Sequence, residues 1–395
     1  MKVLLYLNEE ELKPIGGPKG YVYNLKCGLK KVGCNEVYYL NQGNSVESVN
    51  PNFSTIKMLL KKVFKFMPPF IRNIKQRYTD TKNFSCVNCL PENVNDFDYI
   101  HFHSCLSLYK ERNNLVNYTG KIILTSHSPK PWHQEYMDTA YNSLKKTDKA
   151  KKRIAKIDEY AFDRADYIIF PCKEAEEPYY NQWKLYSSIY ERNKEKYRYI
   201  LSGVQGCRAT ISKKDIRKKY NIPENAFVIS YVGRHNVVKG YERLLQSGEE
   251  ILSKCKDIYF LIAGKEEPLR GLKNERWVEI GWTNDPYSII AASNLFVLPN
   301  IETYFDLVFL EVLSLGIPIL ASFTGGNKYF KKFPDSGIHF FNNQQELVEK
   351  VIQLKNTTNL EELGVKNLEI FKQYFNEKVF AENYLKLIDS LEVKK

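Results

Sequence analysis

Residues 299–322 read PNIETYFDLVFLEVLSLGIPILAS. Leu307 to Leu315 has helical character, and Gly316 and Pro318 stop it. IPILAS then reads as a short strand that is apolar throughout. A helix followed by an all-apolar strand is half of a parallel βαβ unit, whose strands are buried on both faces. Two acids, Glu302 and Glu311, interrupt the apolar run, and a buried carboxylate is costly without a partner. The helix N-terminus between them presents unpaired N–H groups and a positive dipole end, which suits phosphate.

Working outward, the same alternation fills the chain. KVLLYL, EVYYL, YIHFH, KIILTS, ADYIIFP and YRYILSG read as strands of a first series. FVISYVG, IYFLIAG, VEIG, LFVLPN and IPILAS form a second. Two such series predict an α/β protein of two doubly wound, Rossmann-like domains facing each other across a cleft. The boundary is expected between LSGVQG (201–206) and NIPENA (221–226), with KKDIRKKY between them as a short exposed helix. We assign 1–205 and 206–370 to the two domains, and 371–395 to a terminal helix that is free to cross back.

The chain has 395 residues, 43% apolar and 26% charged, the profile of a globular protein rather than a disordered or membrane-spanning one. MKVLLYLNEEE is too short in apolar residues for a signal peptide, so a cytoplasmic location is expected. Eight scattered cysteines are expected as free thiols. Cys86 and Cys89 form one CxxC ahead of His101 and His103, but the single residue between the histidines is a poor match to zinc spacing, and no metal is expected. The net charge of +12 is concentrated. Residues 57–82 carry eight Lys/Arg against one Asp, and 141–157 carry seven against one. KKVFKFMPPFIRNIKQR interleaves Lys61, Lys62, Lys65, Arg72, Lys75 and Arg77 with apolar residues, a make-up that suits an anionic membrane surface. Solvated faces and nucleic-acid binding are the competing readings, and no nucleic-acid module accompanies the runs.

Every candidate for chemistry follows a strand. FVISYVGRHNVVKG places Gly233, Arg234, Lys239 and Gly240 after the first strand of the second series. Arg234 offers a planar fork and Lys239 a point charge, which together can hold a diphosphate. His127 ends KIILTSHS, and IGGPKG follows the first strand of the chain, with Gly16 and Gly17 ahead of a helix from about Tyr21 to Lys31.

GRHNVVKG, followed after about sixty residues by ETYFDLVFLEVLSLGIPILASFTGG, resembles the retaining family 4 glycosyltransferases of GT-B fold. The resemblance is strong from Phe227 to Gly326 and weaker before. It implies that Arg234 and Lys239 bind the donor diphosphate, that Glu311 holds ribose hydroxyls, and that the loop acid contacts the donor sugar. Backbone N–H groups near Phe305, Asp306 and Leu307 would meet the phosphates. Ile280, Gly281 and Trp282 would bracket the base, His127 would lie against the donor sugar, and IGGPKG would border phosphate and acceptor.

Two departures stand out. Eight residues separate the two acids instead of the family's seven, so either Glu302 or Thr303, next to Tyr304, takes the first-acid role; and Asp306 replaces a glycine. The implied activity is transfer of a hexose or N-acetylhexosamine from a nucleoside diphosphate sugar, UDP-sugar foremost, to a glycan, lipid-linked or protein acceptor in surface glycan assembly. No cofactor beyond that co-substrate is implied. An idle glycosyltransferase-like partner subunit and a nucleic-acid-binding protein are the alternatives.

Overall fold

The computed structural model describes residues 1–7, 12, 14, 17–40, 68–142, 144 and 146–391. Gly16, Lys61, Lys62 and Lys65 therefore lie outside the described residues.

Strands β1 (Val3–Tyr6), β2 (Val37–Tyr39), β3 (Tyr99–Phe102), β4 (Lys121–Thr125), β5 (Tyr167–Phe170) and β6 (Tyr197–Tyr199) form one sheet, in the order β2-β1-β3-β4-β5-β6. Strands β7 (Phe227–Val232), β8 (Ile258–Ala263), β9 (Trp277–Gly281), β10 (Leu295–Leu298), β11 (Ile319–Ser322) and β12 (Ile338–Phe341) form a second, ordered β12-β11-β10-β7-β8-β9. Every pairing is parallel. β1, β3, β5, β10 and β11 are buried at every position, as strands covered by helices on both faces must be.

In each sheet the chain reverses direction of travel once, between β1 and β3 and between β7 and β10. At such switch points the loops beyond the strand ends diverge and leave a crevice. The segments after β1, β3, β7 and β10 are therefore the ones positioned to meet a ligand. One apolar core runs through both halves, with Phe170 and Tyr179 on one side and Tyr304, Phe305, Phe309 and Phe330 on the other. The rings of Phe170 and Tyr304 are 5.5 Å apart.

The helix expected from Tyr21 starts earlier, at Pro18–Lys31, because Pro18 occupies the first turn, where its missing N–H costs nothing. The strand expected over YRYILSG is only Tyr197–Tyr199. Beyond it Val204 bridges to Asn376, and the Val204 N–H donates to the Phe375 carbonyl at 2.9 Å. The chain leaves the sheet there to run beside its own returning segment.

KKDIRKKY contains the helix Lys213–Lys219, capped by Ser212, but it is not wholly exposed. Arg217 is buried, and its guanidinium donates to the carbonyls of Ala292, Glu224 and Ala226 and to Asn294 Oδ1. Its long stem and five donors satisfy loop carbonyls that would otherwise be orphaned.

The terminal helix Glu377–Ser390, capped by the Asn376 side chain, returns to the first half. Phe380, Ala381, Tyr384 and Ile388 pack with Tyr21, Val22, Leu25 and Leu29. The two helices cross at Gly28, where a β-carbon would sit 2.0 Å from the Glu377 carbonyl oxygen. All eight cysteines are unpaired. Among the described residues no helix is long and apolar enough to cross a membrane.

Candidate active site

The loop after β7 is held flush against the exit of β10. Gly240 has φ +67°, and a β-carbon there would lie 1.7 Å from the Pro299 carbonyl oxygen, so only glycine fits. The Ile301 N–H donates to the Val238 carbonyl at 3.1 Å and completes the clamp. This brings Lys239 beside the 299–306 loop. Lys239 Nζ lies 2.5 Å from Asp306 Oδ2, and Asn300 Nδ2 donates to the same oxygen at 2.8 Å. Burial works to raise the Asp306 carboxyl, but Lys239, Asn300 and the charge of Arg234 hold it below the usual carboxylate range. Arg234 itself is exposed. Its carbonyl is fixed by the Tyr231 hydroxyl at 2.9 Å.

Asp306 is also the N-cap of the helix Leu307–Ser314, although its side chain makes no cap bond. The carboxylate is committed to Lys239 instead; the Phe309 N–H is met by the Asp306 carbonyl at 3.0 Å, and the N–H groups of Leu307 and Val308 receive no bond from that side chain. Glu311 is one turn further on. Burial first, and the negative charge of Asp306 second, push its carboxyl up to about 7. Among the described residues no side chain donates a hydrogen bond to it, while Cys207 and Tyr287, whose ionisation is suppressed first by burial, lie close enough to be suppressed further by its charge. The sequence marks Asp306 as an acid in place of a glycine; the structure gives it a neutralising cation, Lys239, and an amide donor, Asn300.

The acid loop faces the other half. Gln182 donates to Glu302, whose carboxyl is raised by burial and lowered in part by Lys130 and Gln182. Thr303 is buried, its carbonyl 3.4 Å from the Gly326 N–H. Tyr304 and Phe305 are buried in the shared core, Phe305 stacking on Phe330 at 5.5 Å. Glu177, from the first half, accepts from Lys328 and from the Gly325 N–H, so polar ties join the two halves beside this loop.

Across the crevice, His127 lies two residues beyond the end of β4, with φ +56°, a left-handed conformation unusual for a non-glycine residue. Its Nε2 is 2.8 Å from His103 Nδ1, and its ring packs edge-on against Tyr21 at 4.5 Å. His101, behind His103, bonds Tyr384 and Thr125 at 3.0 and 2.8 Å. Burial holds all three rings neutral: His103 falls to about 3, and His101 and His127 fall well below the ordinary histidine value. Sequence reading set His101 and His103 aside as a zinc pair; their i, i+2 spacing at and just beyond the end of β3 was the available signal that both face the same side. Tyr304 reaches toward the same place, its ring 6.3 Å from that of His127.

Gly17 has φ +78° at the start of its helix. Gly281 has φ +72° with open space around it, and Trp282 is 71% exposed, which leaves a broad apolar face available to a flat ligand. Gly233 packs against the Tyr231 hydroxyl. Cys86 and Cys89 are half-buried, and the Cys89 N–H donates to Glu111 Oε1 at 3.0 Å. Two open cavities, of about 520 and 440 Å³, lie at Pro171–Glu174 with Tyr199 and Lys332, and at Asp80 with Arg112 and Arg153. Neither includes Arg234, Lys239 or Glu311.

Residues 212–368 match the family of glycosyl transferases group 1. An Escherichia coli UDP-Gal:alpha-D-GlcNAc-diphosphoundecaprenol alpha-1,3-galactosyltransferase is 31% identical over 134 residues, 31% of this chain and 35% of that protein. The Staphylococcus aureus capsular polysaccharide biosynthesis glycosyltransferase CapM is 28% identical over 131 residues, 31% and 34% of the two chains. The match thus spans about a third of the length of these relatives. Among solved structures, the sucrose-phosphate synthase of Thermosynechococcus elongatus superposes with a TM-score of 0.63 at 18% identity over 98% of both chains. Anabaena HepE in complex with UDP-glucose superposes with a TM-score of 0.63 at 14% identity over 99% and 100%. The chain therefore has the two-domain GT-B fold, and its second half carries the sequence pattern of glycosyl transferases group 1.

Proposed function

We propose that this chain is a retaining glycosyltransferase that moves a hexose or N-acetylhexosamine from a nucleoside diphosphate sugar, foremost a UDP-sugar, to an acceptor hydroxyl in cell-envelope glycan assembly. Donor binding falls to 206–370 and acceptor binding to 1–205, with 371–395 returning to the first half. The observation that carries this reading is the convergence of Lys239, the field of Arg234, the N-terminus of the Leu307–Ser314 helix and Glu311 around Asp306, beyond β7 and β10. The partial relatives act in galactosyl transfer and capsule assembly by their names, and HepE was solved with a UDP-sugar, which supports the choice of substrate class.

In this reading the diphosphate displaces Asp306 as the partner of Lys239 and takes bonds from Arg234 and the helix N–H groups. Their charge is fixed in place before the sugar–oxygen bond breaks, so it stabilises the departing nucleotide without reorganisation. Glu311 accepts from ribose hydroxyls, and Gly281 and Trp282 flank the base. His127, in the turn after β4, borders the sugar, with Glu302 or Thr303 on the opposite side. The acceptor attacks from the face that the nucleotide leaves, and a phosphate oxygen takes its proton. The contacts across the crevice exclude water from that step.

Turnover measured as nucleotide release over a panel of sugar nucleotides tests this. One donor should stand out, and Arg234→Ala and Lys239→Ala should each lower its turnover by about 10² or more. Thermal stabilisation by a nucleotide without turnover on any acceptor would assign the chain to the idle-subunit class instead.

Membrane association at the cytoplasmic face belongs to the same proposal. On the helix Pro69–Asn83 the side chains of Phe70, Ile74 and Tyr78 recur every fourth residue and are all exposed, alongside exposed Lys75 and Arg77 and half-buried Arg72. Apolar and basic groups together suit an anionic bilayer surface. Sedimentation with anionic but not neutral vesicles is expected, and Ile74→Asp should abolish it; indifference to lipid charge would remove the membrane from the proposal.

A further inference from the structure

We propose that His235, Glu279 and Glu266 form a binding site for a divalent cation of zinc's class, tying together the segments that follow β7 and β8 and the edge strand β9. Their ligand atoms all lie within 4.8 Å of one another, and this is the one such cluster among the described residues. The site stands independently of the glycosyl-transfer reading.

The unsatisfied atoms point to a ligand. His235 is fully buried, yet neither ring nitrogen has a hydrogen-bond partner. Glu279 Oε2 is buried and equally unpartnered. Buried polar atoms in folded proteins are almost always paired, and an imidazole nitrogen and a carboxylate oxygen left without partners beside a second carboxylate call for an occupant. Imidazole nitrogen with two carboxylate oxygens is a donor set suited to zinc, with a water completing four-coordination.

The surroundings match what metal ligands need. Glu279 Oε1 accepts from the Tyr241 hydroxyl at 2.5 Å and from Trp277 Nε1 at 2.8 Å, which fixes the carboxylate and leaves Oε2 for the ion. The His235 ring lies flat on Tyr241, 3.8 Å between centroids at 6°, so its nitrogens cannot swing away. Outer partners of this kind orient metal ligands and tune their basicity. Gly264 keeps the approach open, since a β-carbon there would press to 3.3 Å of His235 Nε2. Glu266 is exposed, on the segment after β8, and can close over an entering ion. Arg234 precedes His235, and Trp282 lies three residues beyond Glu279, so an ion here would stiffen the loops bearing both.

The test uses the full chain, stripped with a chelator, then given Zn²⁺ or Co²⁺ and freed of excess metal. About one equivalent should be retained, with a visible Co²⁺ absorption and a rise in Tm. His235→Ala should abolish retention. Because His235 is buried and its variant can misfold, the exposed Glu266→Gln is the deciding substitution, expected to weaken binding at least roughly tenfold. A Cys86→Ser, Cys89→Ser double variant should bind as the parent does. Retention no greater than that of His235→Ala, retention unaffected by Glu266→Gln, or retention lost with the cysteines would each overturn the site.

Discussion

Lys239 Nζ and Asp306 Oδ2 are 2.5 Å apart, a pair made between the loop after β7 and the cap of the Leu307–Ser314 helix. The cation assigned to the leaving group is thus already engaged by an internal anion. A diphosphate must take Lys239 from Asp306 and then tolerate that carboxylate nearby. Asp306→Asn removes the competitor while keeping the Asn300 side of the contact, so UDP should bind about tenfold more tightly by calorimetry. Unchanged or weaker binding would mean that Asp306 helps to hold the donor.

Lys239→Ala leaves Asp306 without its main counter-charge in a largely desolvated setting. The stability of the chain should fall by about 1–3 kcal/mol in urea unfolding, and Lys239→Ala combined with Asp306→Asn should recover most of it.

Glu311 links affinity and stability to pH. Its folded value of about 7 is raised from 4.5, so the neutral form is the one the fold favours. Its contribution to stability is fully present below about pH 4.5 and is lost as pH rises through about 7. Between pH 5 and 8 the parent should lose of order 2 kcal/mol relative to Glu311→Gln. Nucleotide affinity should move the other way, rising through pH 7 as the carboxylate able to accept from ribose forms. A flat difference between parent and Glu311→Gln in both measurements would remove Glu311 from these roles.

His103 acts through His127. With His103→Ala the 2.8 Å contact that fixes the His127 ring is gone, while the donor-side groups are untouched. We expect kcat to fall about tenfold with the Kd for UDP unchanged, and His103→Asn, which keeps a polar partner, to restore part of it. Equal loss in both variants would point to a packing defect instead.

Gly28→Ala forces the Pro18–Lys31 and Glu377–Ser390 helices apart by placing a methyl into the Glu377 carbonyl. The cost should be about 1–3 kcal/mol, read as a lowered Tm and faster amide exchange over residues 377–390.

The architecture was legible because fully buried parallel strands are written as continuous apolar runs: LFVLPN and IPILAS contain β10 and β11, each trimmed by two residues to LFVL and ILAS. The loop cations were legible too, since Arg234 and Lys239 follow such a run directly. Partners separated widely along the chain were not. Nothing local says that Asp306 answers to Lys239, that Gln182 meets Glu302, or that His103 bonds His127, because each pair depends on which strands become neighbours. The burial of Arg217 was hidden for the same reason: five basic residues in KKDIRKKY read as a solvated face until the carbonyls of Ala292 and Ala226 arrive from elsewhere.

The docking of the final helix onto the first sheet has a consequence for biosynthesis. At roughly 5–20 residues per second, a ribosome that has finished the first six strands needs on the order of ten to thirty seconds more before Phe380 and Tyr384 emerge. Throughout that interval the faces of Tyr21, Val22 and Leu25 stay uncovered. The nascent chain is then a client for holding chaperones, and a premature stop shortly before residue 377 should yield an insoluble product although every strand is present.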